Sequence, residues 1–402
     1  MKPAIIVLAY NRPKSLQRLL NSLAGAEYPG VEKLIISLES GSTPEVVDTA
    51  FSFESSKLDT EVVQCKKKLG LRNHVIACGD LSDKFGSVIV LEDDLLVDPY
   101  FYLYAADALD FYLKNEAVAG IALYSYQRNE LSNLPFSAMY NGYSTFPMQV
   151  PCSWGQCWTR QQWNAFKSWY VNVSEAYLRK IERLPDFAKR WPESSWKKYF
   201  YGFMVEEEKY FIYPYRSYST NVSDSGGTHI KKGSNIHQVD MSLPHRPFFK
   251  TVFLHFSKNE AVQYDSFMEP VGEYVWTNIG IPYDQVEIDT QGIKPISLIR
   301  SKMYTITSRK ANPAIRGYEL KYRPVEVNFS QDGDVDMTGD LQLVESSSIK
   351  SSATVRSSIS RTSYYAGMNL KDRSFLQTII KELPILILRK LGKKIAPGFL
   401  RS

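Results

Sequence analysis

An α/β fold, built on a mostly parallel central sheet with helices on both faces, is what this sequence predicts. Three observations carry the prediction. Apolar runs at Ala4 to Ala9, Lys33 to Leu38 and Ser87 to Leu91 have the texture of buried strands. Stretches with helical spacing separate them, the alternation expected of a parallel sheet. The run from Ser87 then ends abruptly in three acids, Glu92, Asp93 and Asp94.

At 402 residues with 44% hydrophobic content, the chain is long enough to bury a full core in one large domain or two ordinary ones. The formal net charge of +5 is small for this length and argues against a general nucleic-acid binder. That charge is concentrated at the end. From Lys371 onward eight basic residues face two acidic ones, so the tail carries +6 and the remainder is close to neutral. Four cysteines, none in a Cys-x-x-Cys pair, make no disulfide framework and fit a reducing cytoplasm. The first apolar run is too short for a signal peptide, and no run of about eighteen apolar residues predicts a membrane span.

In chain order, the strand Ala4 to Ala9 is broken by Asn11-Arg12-Pro13, and Leu16, Leu19, Leu20 and Leu23 mark one helix face. A second strand, Lys33 to Leu38, leads through Glu39-Ser40 to a helix beginning near Pro44. Glu61 to Gln64 reads as a third, short strand. After the loop Leu69 to Asn73, a helical stretch reaches Phe85 and the acid-tipped strand follows. In such sheets ligands collect at the carboxyl ends of the strands, so Asn11, Glu39 and Glu92 to Asp94 converge on one edge.

Beyond Asp98-Pro99 come an aromatic-rich helix (Tyr100 to Lys114) and another strand (Ala117 to Leu123), then an irregular stretch over 125–150. Trp154, Trp158, Trp163 and Trp169 follow within sixteen residues. They form either plain core or a flat wall against which an acceptor sugar stacks. Trp191 to Trp196 precedes a helix reaching about Lys209, Tyr210 to Pro214 is a short strand, and Asn221 to His229 is a polar, glycine-containing loop. The predicted division is 1–245 for the α/β domain, 246–345 for a β-rich accessory region with strand-like pieces at Ile296 to Ile306 and Tyr318 to Phe329, 346–370 for a Ser-rich linker, and 371–402 for a basic amphipathic tail. Such a tail suits an anionic membrane surface or packs back onto the protein.

Three carboxylates at the end of an apolar strand repel one another unless a cation or a hydrogen-bonding ligand sits among them. Oxygen ligands of this kind suit Mn²⁺ or Mg²⁺, which would hold a diphosphate and stabilise it as a leaving group. In an extended segment Glu92 and Asp94 point one way and Asp93 the other, so all three cannot ligate one ion.

Four motifs in order, Ile5 to Pro13, Leu69-Gly-Leu-Arg-Asn73, Val88 to Leu95 followed by Asp98-Pro-Tyr-Phe101, and Gly226-Gly-Thr-His229, together resemble a GT-A-fold glycosyltransferase. The resemblance covers about residues 1 to 245 and is to the N-acetylglucosaminyltransferase I family and bacterial family-2-like enzymes. It implies a hexosyl- or N-acetylhexosaminyltransferase that moves a sugar from a nucleotide donor, UDP by default, to a glycan or lipid-linked acceptor with inversion. Asp94 would bind the metal, with Glu92 and Asp93 directed to the nucleotide or to metal-bound water. Asn11, Arg12, Glu39, Ser40 and Arg72 would line the nucleotide pocket, and Thr228 and His229 would close over the diphosphate.

An inverting transferase also needs a carboxylate to take the acceptor's proton. The eukaryotic family has an Asp after the Trp that corresponds to Trp196, and this chain has Lys197 there. Glu193, just before a helix whose N–H groups favour its ionised form, is the nearest acid; Asp224 and Glu206 are further candidates. The resulting expectation is a cytoplasmic, bacterial enzyme of surface polysaccharide synthesis, peripheral at the inner membrane through its tail. Two rivals are a nucleotidyltransferase, disfavoured by the absence of glycine after the first strand, and a non-catalytic glycan-binding or scaffold protein.

Overall fold

The computed structural model describes residues 1–224, 234–241, 250–255, 262–272, 280–330, 339–356 and 358–367, with 377, 380 and 381. Thr228, His229 and nearly all of the basic tail lie outside the described residues.

Strand β1 (Ala4–Ala9) passes through Asn11 and Arg12 into helix α1 (Pro13–Ala24), where Pro13 occupies the first turn with its backbone angle already set for a helix. There follow β2 (Glu32–Leu38), α2 (Pro44–Phe51), β3 (Leu58–Gln64), α3 (Gly70–Asp80), α4 (Ser82–Phe85) and β4 (Ser87–Glu92). These four strands are parallel, in the order β3-β2-β1-β4. Their lack of alternation reflects burial on both sides. Ile6, Leu8, Val88 and Val90 face one core, and Ile5, Val7, Ile89 and Leu91 face the other. Leu16, Leu19, Leu20 and Leu23 of α1 pack into the second core, so the helical spacing read from the sequence marks its buried face.

Past β4 the chain forms β5 (Leu95–Val97), α5 (Phe101–Phe111), β6 (Val118–Ala122), β7 (Thr145–Met148), β8 (Gln156–Thr159) and α6 (Arg160–Tyr170). Short helices α7 (Glu175–Leu178) and α8 (Asp186–Lys189) precede α9 (Trp196–Glu206), β9 (Tyr210–Pro214), β10 (Ser219–Asn221), β11 (Gln263–Tyr264) and β12 (Pro270–Val271). The large sheet continues from β4 in the order β8-β6-β9-β7-β11-β12. β8 is antiparallel to both β4 and β6, which makes the far half mixed. Strand β7 falls inside the stretch that reads as irregular, and β11 and β12 bring residues beyond 245 into the large sheet.

A second sheet contains β13 (Val286–Asp289), β14 (Tyr304–Thr307), β15 (Arg316–Tyr318) and β16 (Leu341–Glu345), in the order β13-β14-β16-β15. With it go helices α10 (Ile296–Ile299), α11 (Val327–Ser330) and α12 (Ile359–Ala366). The strand-like reading of 296–306 holds only at its end, because Pro295 starts a helical turn at Ile296. Likewise 318–329 is a strand only at Tyr318, and Pro324 and α11 interrupt the rest. Serine content at 346–367 does not produce a free linker. Ser346 exchanges a 2.7 Å hydrogen bond with Thr305, Ile349 is fully buried, and Tyr365 of α12 joins the core of the second sheet.

Candidate active site

The carboxyl ends of β1, β2 and β4 open into a cavity of about 1160 Å³, lined among others by Asn11, Arg12, Glu39, Glu92, Asp93, Asp94 and Asp224. Asn11, Glu39 and Glu92 to Asp94 meet here because three adjacent parallel strands end at one edge, and Asp224 joins them from beyond β10.

The chain turns at Asp93 and Asp94 between β4 and β5, which breaks the alternation expected of an extended segment. Both side chains consequently face one cation. Arg12 Nη1 donates to Asp94 Oδ2 at 3.0 Å, and Nη2 donates to Asp93 Oδ1. Burial works against the Arg12 charge, but the two carboxylates outweigh it and raise its pKa. Burial pushes Glu92 up to about 8, helped by Asp94 and opposed by Arg12. It pushes Asp93 up to about 6, where Arg12 again opposes. Burial of Glu92, which favours its neutral form, eases the repulsion among three successive acids at the strand end.

Asp94 Oδ1 is buried and has no hydrogen-bond partner among the described residues. An orphaned carboxylate oxygen on a residue that lines a cavity fits a hard divalent cation. No group of three or more His, Cys, Asp or Glu arranged to hold a metal occurs among the described residues. A cation here would therefore draw most of its ligands from a bound diphosphate and water, the habit of Mg²⁺ in phosphate sites.

Glu39 has a different task. Its carboxylate accepts from the backbone N–H of Ser40 at 2.8 Å, Leu69 at 2.9 Å and Gly70 at 2.7 Å. Burial raises its pKa, yet these three donors prevail and the net shift is downward. Glu39 thus staples the end of β2 to the start of α3. Ser40 contributes its backbone to that staple. Arg72 donates to the Glu193 carbonyl at 2.8 Å and to the Tyr199 hydroxyl at 2.9 Å, tying α3 to the entry of α9 rather than lining the cavity.

Of the acids considered as proton acceptors, Glu193 has a carboxylate 68% exposed and 3.7 Å from Arg72. Asp224 lines the cavity, but Ser15 donates to it at 2.6 Å and Arg18 pairs with it. Burial raises the Asp224 pKa, and Arg18 and Ser15 outweigh that and lower it. Glu206 accepts from Trp169 Nε1 at 2.7 Å and from the Tyr177 hydroxyl, at the opposite end of α9 from the cavity.

The four tryptophans occupy two kinds of environment, core and cavity wall. Trp158 and Trp163 are fully buried core, and Trp169 is held by Glu206. Trp154 lines the cavity with Tyr124, Tyr126 and Trp191.

On this aromatic side Glu130 escaped the sequence reading, and Lys197 entered it only as the residue that replaces the family's Asp. Lys197 Nζ donates to Glu130 Oε1 at 2.6 Å and Oε2 at 2.9 Å, and the Tyr126 hydroxyl donates to Oε1 at 2.7 Å. Glu130 belongs to a turn organised by Asn129, whose Oδ1 accepts from the N–H groups of Leu131 at 2.8 Å and Ser132 at 3.2 Å. One signal for it was present. A lysine in an aromatic-rich helix start that proves to be buried calls for an acidic partner.

Residues 4–162 match the family model described as Glycosyl transferase family 2. The fold is the GT-A-like α/β arrangement, and with this match it supports the glycosyltransferase class that the motifs imply. Among solved structures, S. aureus TarS 1-349 in complex with UDP is similar at 14% identity, over 55% of this chain and 60% of that one, with a TM-score of 0.36. The same protein in complex with UDP-GlcNAc aligns at 13% identity, over 53% and 58%, with a TM-score of 0.33. The mannosyltransferase PcManGT from Pyrobaculum calidifontis, in complex with GDP-Man and Mn²⁺, aligns at 11% identity, over 51% and 69%, with a TM-score of 0.32. No curated protein matches the chain.

Proposed function

We propose that this chain is a metal-dependent glycosyltransferase that takes a sugar from a nucleotide donor, UDP-linked by default, and transfers it with inversion to a glycan or lipid-linked acceptor. The observation that carries this reading is the strand-end cavity in which Asp94 presents an unpartnered carboxylate oxygen beside the Arg12 guanidinium. Asp94 would hold Mn²⁺ or Mg²⁺, which when bound neutralises charge on the departing diphosphate. Asn11, Arg12, Glu92 and Asp93 line the donor side of the cavity, and Glu39 and Ser40 hold the loop beside it. Thr228 and His229 belong to this proposal by motif alone, as does the narrower likeness to N-acetylglucosaminyltransferase I.

The test is a thermal-shift screen of UDP-GlcNAc, UDP-glucose and GDP-mannose with and without Mn²⁺. Ligands that bind only the folded state raise its melting temperature. A metal-dependent shift in wild type that disappears in Asp94→Ala supports the reading; a shift indifferent to both supports the non-catalytic glycan-binding alternative.

No helix among the described residues is long and apolar enough to cross a membrane. A role at the inner membrane face, in surface polysaccharide synthesis, rests on the +6 tail. Removing residues 371–402 should reduce sedimentation with anionic vesicles, and unchanged sedimentation would remove the tail from this account.

A further inference from the structure

We propose that Glu130 is the catalytic base, the group that takes the proton from the acceptor hydroxyl. This rests on the glycosyl-transfer reading above. Glu130 lines the cavity and its side chain is 13% exposed, so the carboxylate is desolvated yet reachable.

The other acids lining the cavity stand at the strand ends or within hydrogen-bond sets of their own. Glu39 accepts from three backbone N–H groups, Asp93 and Asp94 share Arg12, Asp224 is held by Ser15 and Arg18, and Glu92 ends the strand that carries Asp94. Glu130 differs in the side it occupies. Its ammonium partner, Lys197 Nζ, lies 5.3 Å from the ring centre of Trp191, 5.7 Å from that of Tyr126 and 5.8 Å from that of Trp154. The carboxylate is thereby placed among flat apolar surfaces against which a sugar ring packs.

The hydrogen bonds also leave it something to work with. Oε1 accepts from both Lys197 and Tyr126, whereas Oε2 accepts from Lys197 alone. A carboxylate oxygen has two lone-pair sites, so Oε2 keeps one for an incoming hydroxyl. Lys197 acts as a positioning residue, fixing the carboxylate with both of its oxygens engaged. The position after Trp196 carries a cation, and the cation in turn holds an anion supplied by a distant turn.

In the reaction, the acceptor O–H bond breaks and its proton passes to Glu130 Oε2. The freed oxygen pair forms the bond to the anomeric carbon. The bond from that carbon to the diphosphate oxygen breaks, and its electron pair leaves with the nucleoside diphosphate. Glu130 returns the proton to solvent. Water serves as acceptor by the same steps, which gives the assay.

Full-length protein is incubated with UDP-GlcNAc, UDP-glucose or GDP-mannose and Mn²⁺, and release of nucleoside diphosphate is followed. Glu130→Gln should lower the rate by about 10²–10⁴-fold and abolish the acidic limb of its pH profile. The Mn²⁺-dependent thermal shift caused by UDP should be unchanged. Glu130→Asp, which keeps the carboxylate, should recover part of the rate and the acidic limb. If Glu130→Gln melts below assay temperature, Glu130→Gln combined with Lys197→Met removes the stranded ammonium and is read in the same way. A rate within about threefold of wild type in either Gln variant overturns the assignment while leaving the glycosyl-transfer reading intact. No release by wild type from any donor, and no metal-dependent shift, overturns that reading and this inference with it.

Discussion

Arg12 reaches only one oxygen of Asp94, donating to Oδ2 at 3.0 Å and leaving the buried Oδ1 without a hydrogen-bond partner among the described residues. One oxygen of the carboxylate is thus engaged by Arg12, and the other is buried without a partner in the wall of the cavity. Asp94→Asn preserves the shape and removes the charge. It should abolish the Mn²⁺-dependent part of the thermal shift by UDP and lower donor turnover by at least about 10²-fold, since the cation's charge stabilisation is lost.

Arg12→Met removes the counter-charge from two carboxylates at once. Their side chains are 5% and 15% exposed, so solvent compensates only in part. A loss of about 2 kcal/mol is expected, smaller than for a fully buried pair. Urea unfolding would measure it, and Mn²⁺ should recover part of the loss by supplying the missing positive charge.

Away from the strand-end cavity, two buried acids that line a smaller cavity add to the pH dependence that Glu92 and Asp93 create. Burial pushes Glu326 up to about 7 and Glu269 up to about 8, the latter against the pull of Lys294. An acid with a raised folded-state pKa binds more protons folded than unfolded. Its stabilising contribution is complete below the ordinary carboxylate range and is lost as pH rises through about 7 and about 8. Urea midpoints should therefore fall between about pH 5 and about pH 9. Glu269→Gln or Glu326→Gln should flatten that slope.

Gly79 of α3 meets α6 where a Cβ would stand 2.2 Å from the Trp163 ring. The neighbouring Asp80 accepts from Trp163 Nε1 at 2.7 Å, so the indole cannot withdraw without losing a hydrogen bond. Gly79→Ala should cost about 1–3 kcal/mol, the usual penalty for overpacking. Calorimetric melting of the full chain would show it.

Trp158 and Trp154 offer a matched contrast. Trp158→Ala empties a fully buried site between the helices on one face of the sheet and should cost about 3–5 kcal/mol. Trp154→Ala opens onto the cavity and should cost less stability. It should weaken sugar binding instead, measurable by isothermal titration with glucose, mannose and N-acetylglucosamine as probes.

The parallel half of the sheet was legible because burial on both faces writes itself into the sequence as unbroken apolar runs, such as Ile5 to Leu8 and Val88 to Leu91. Strand-end chemistry followed, since parallel strands all release their polar ends at one edge. The antiparallel insertion of β8 left no such signature. Four residues, Gln156 to Thr159, are too few for a period to declare itself. The pairing of Asp93 with Arg12 is hidden for a related reason, because the strand ends at Glu92 and the turn at Asp93 and Asp94 carries no glycine or proline to mark it. Glu130 was hidden more deeply. Its placement depends on the Asn129 turn and on a partner 67 residues away, and neither leaves a repeat in the sequence.

Because β8 runs against β4, with Gln156 opposite Val90 and Thr159 opposite Ser87, its beginning rather than its end faces the cavity. The loop that precedes it therefore delivers Trp154 to the same mouth at which β4 delivers Asp94. One wall is built by chain leaving the sheet and the other by chain entering it. Between buried Cys152 and Gly155, only Ser153 and Trp154 reach the surface of that loop, so what the mouth accepts can be retuned at two positions without disturbing the register of β1 with β4.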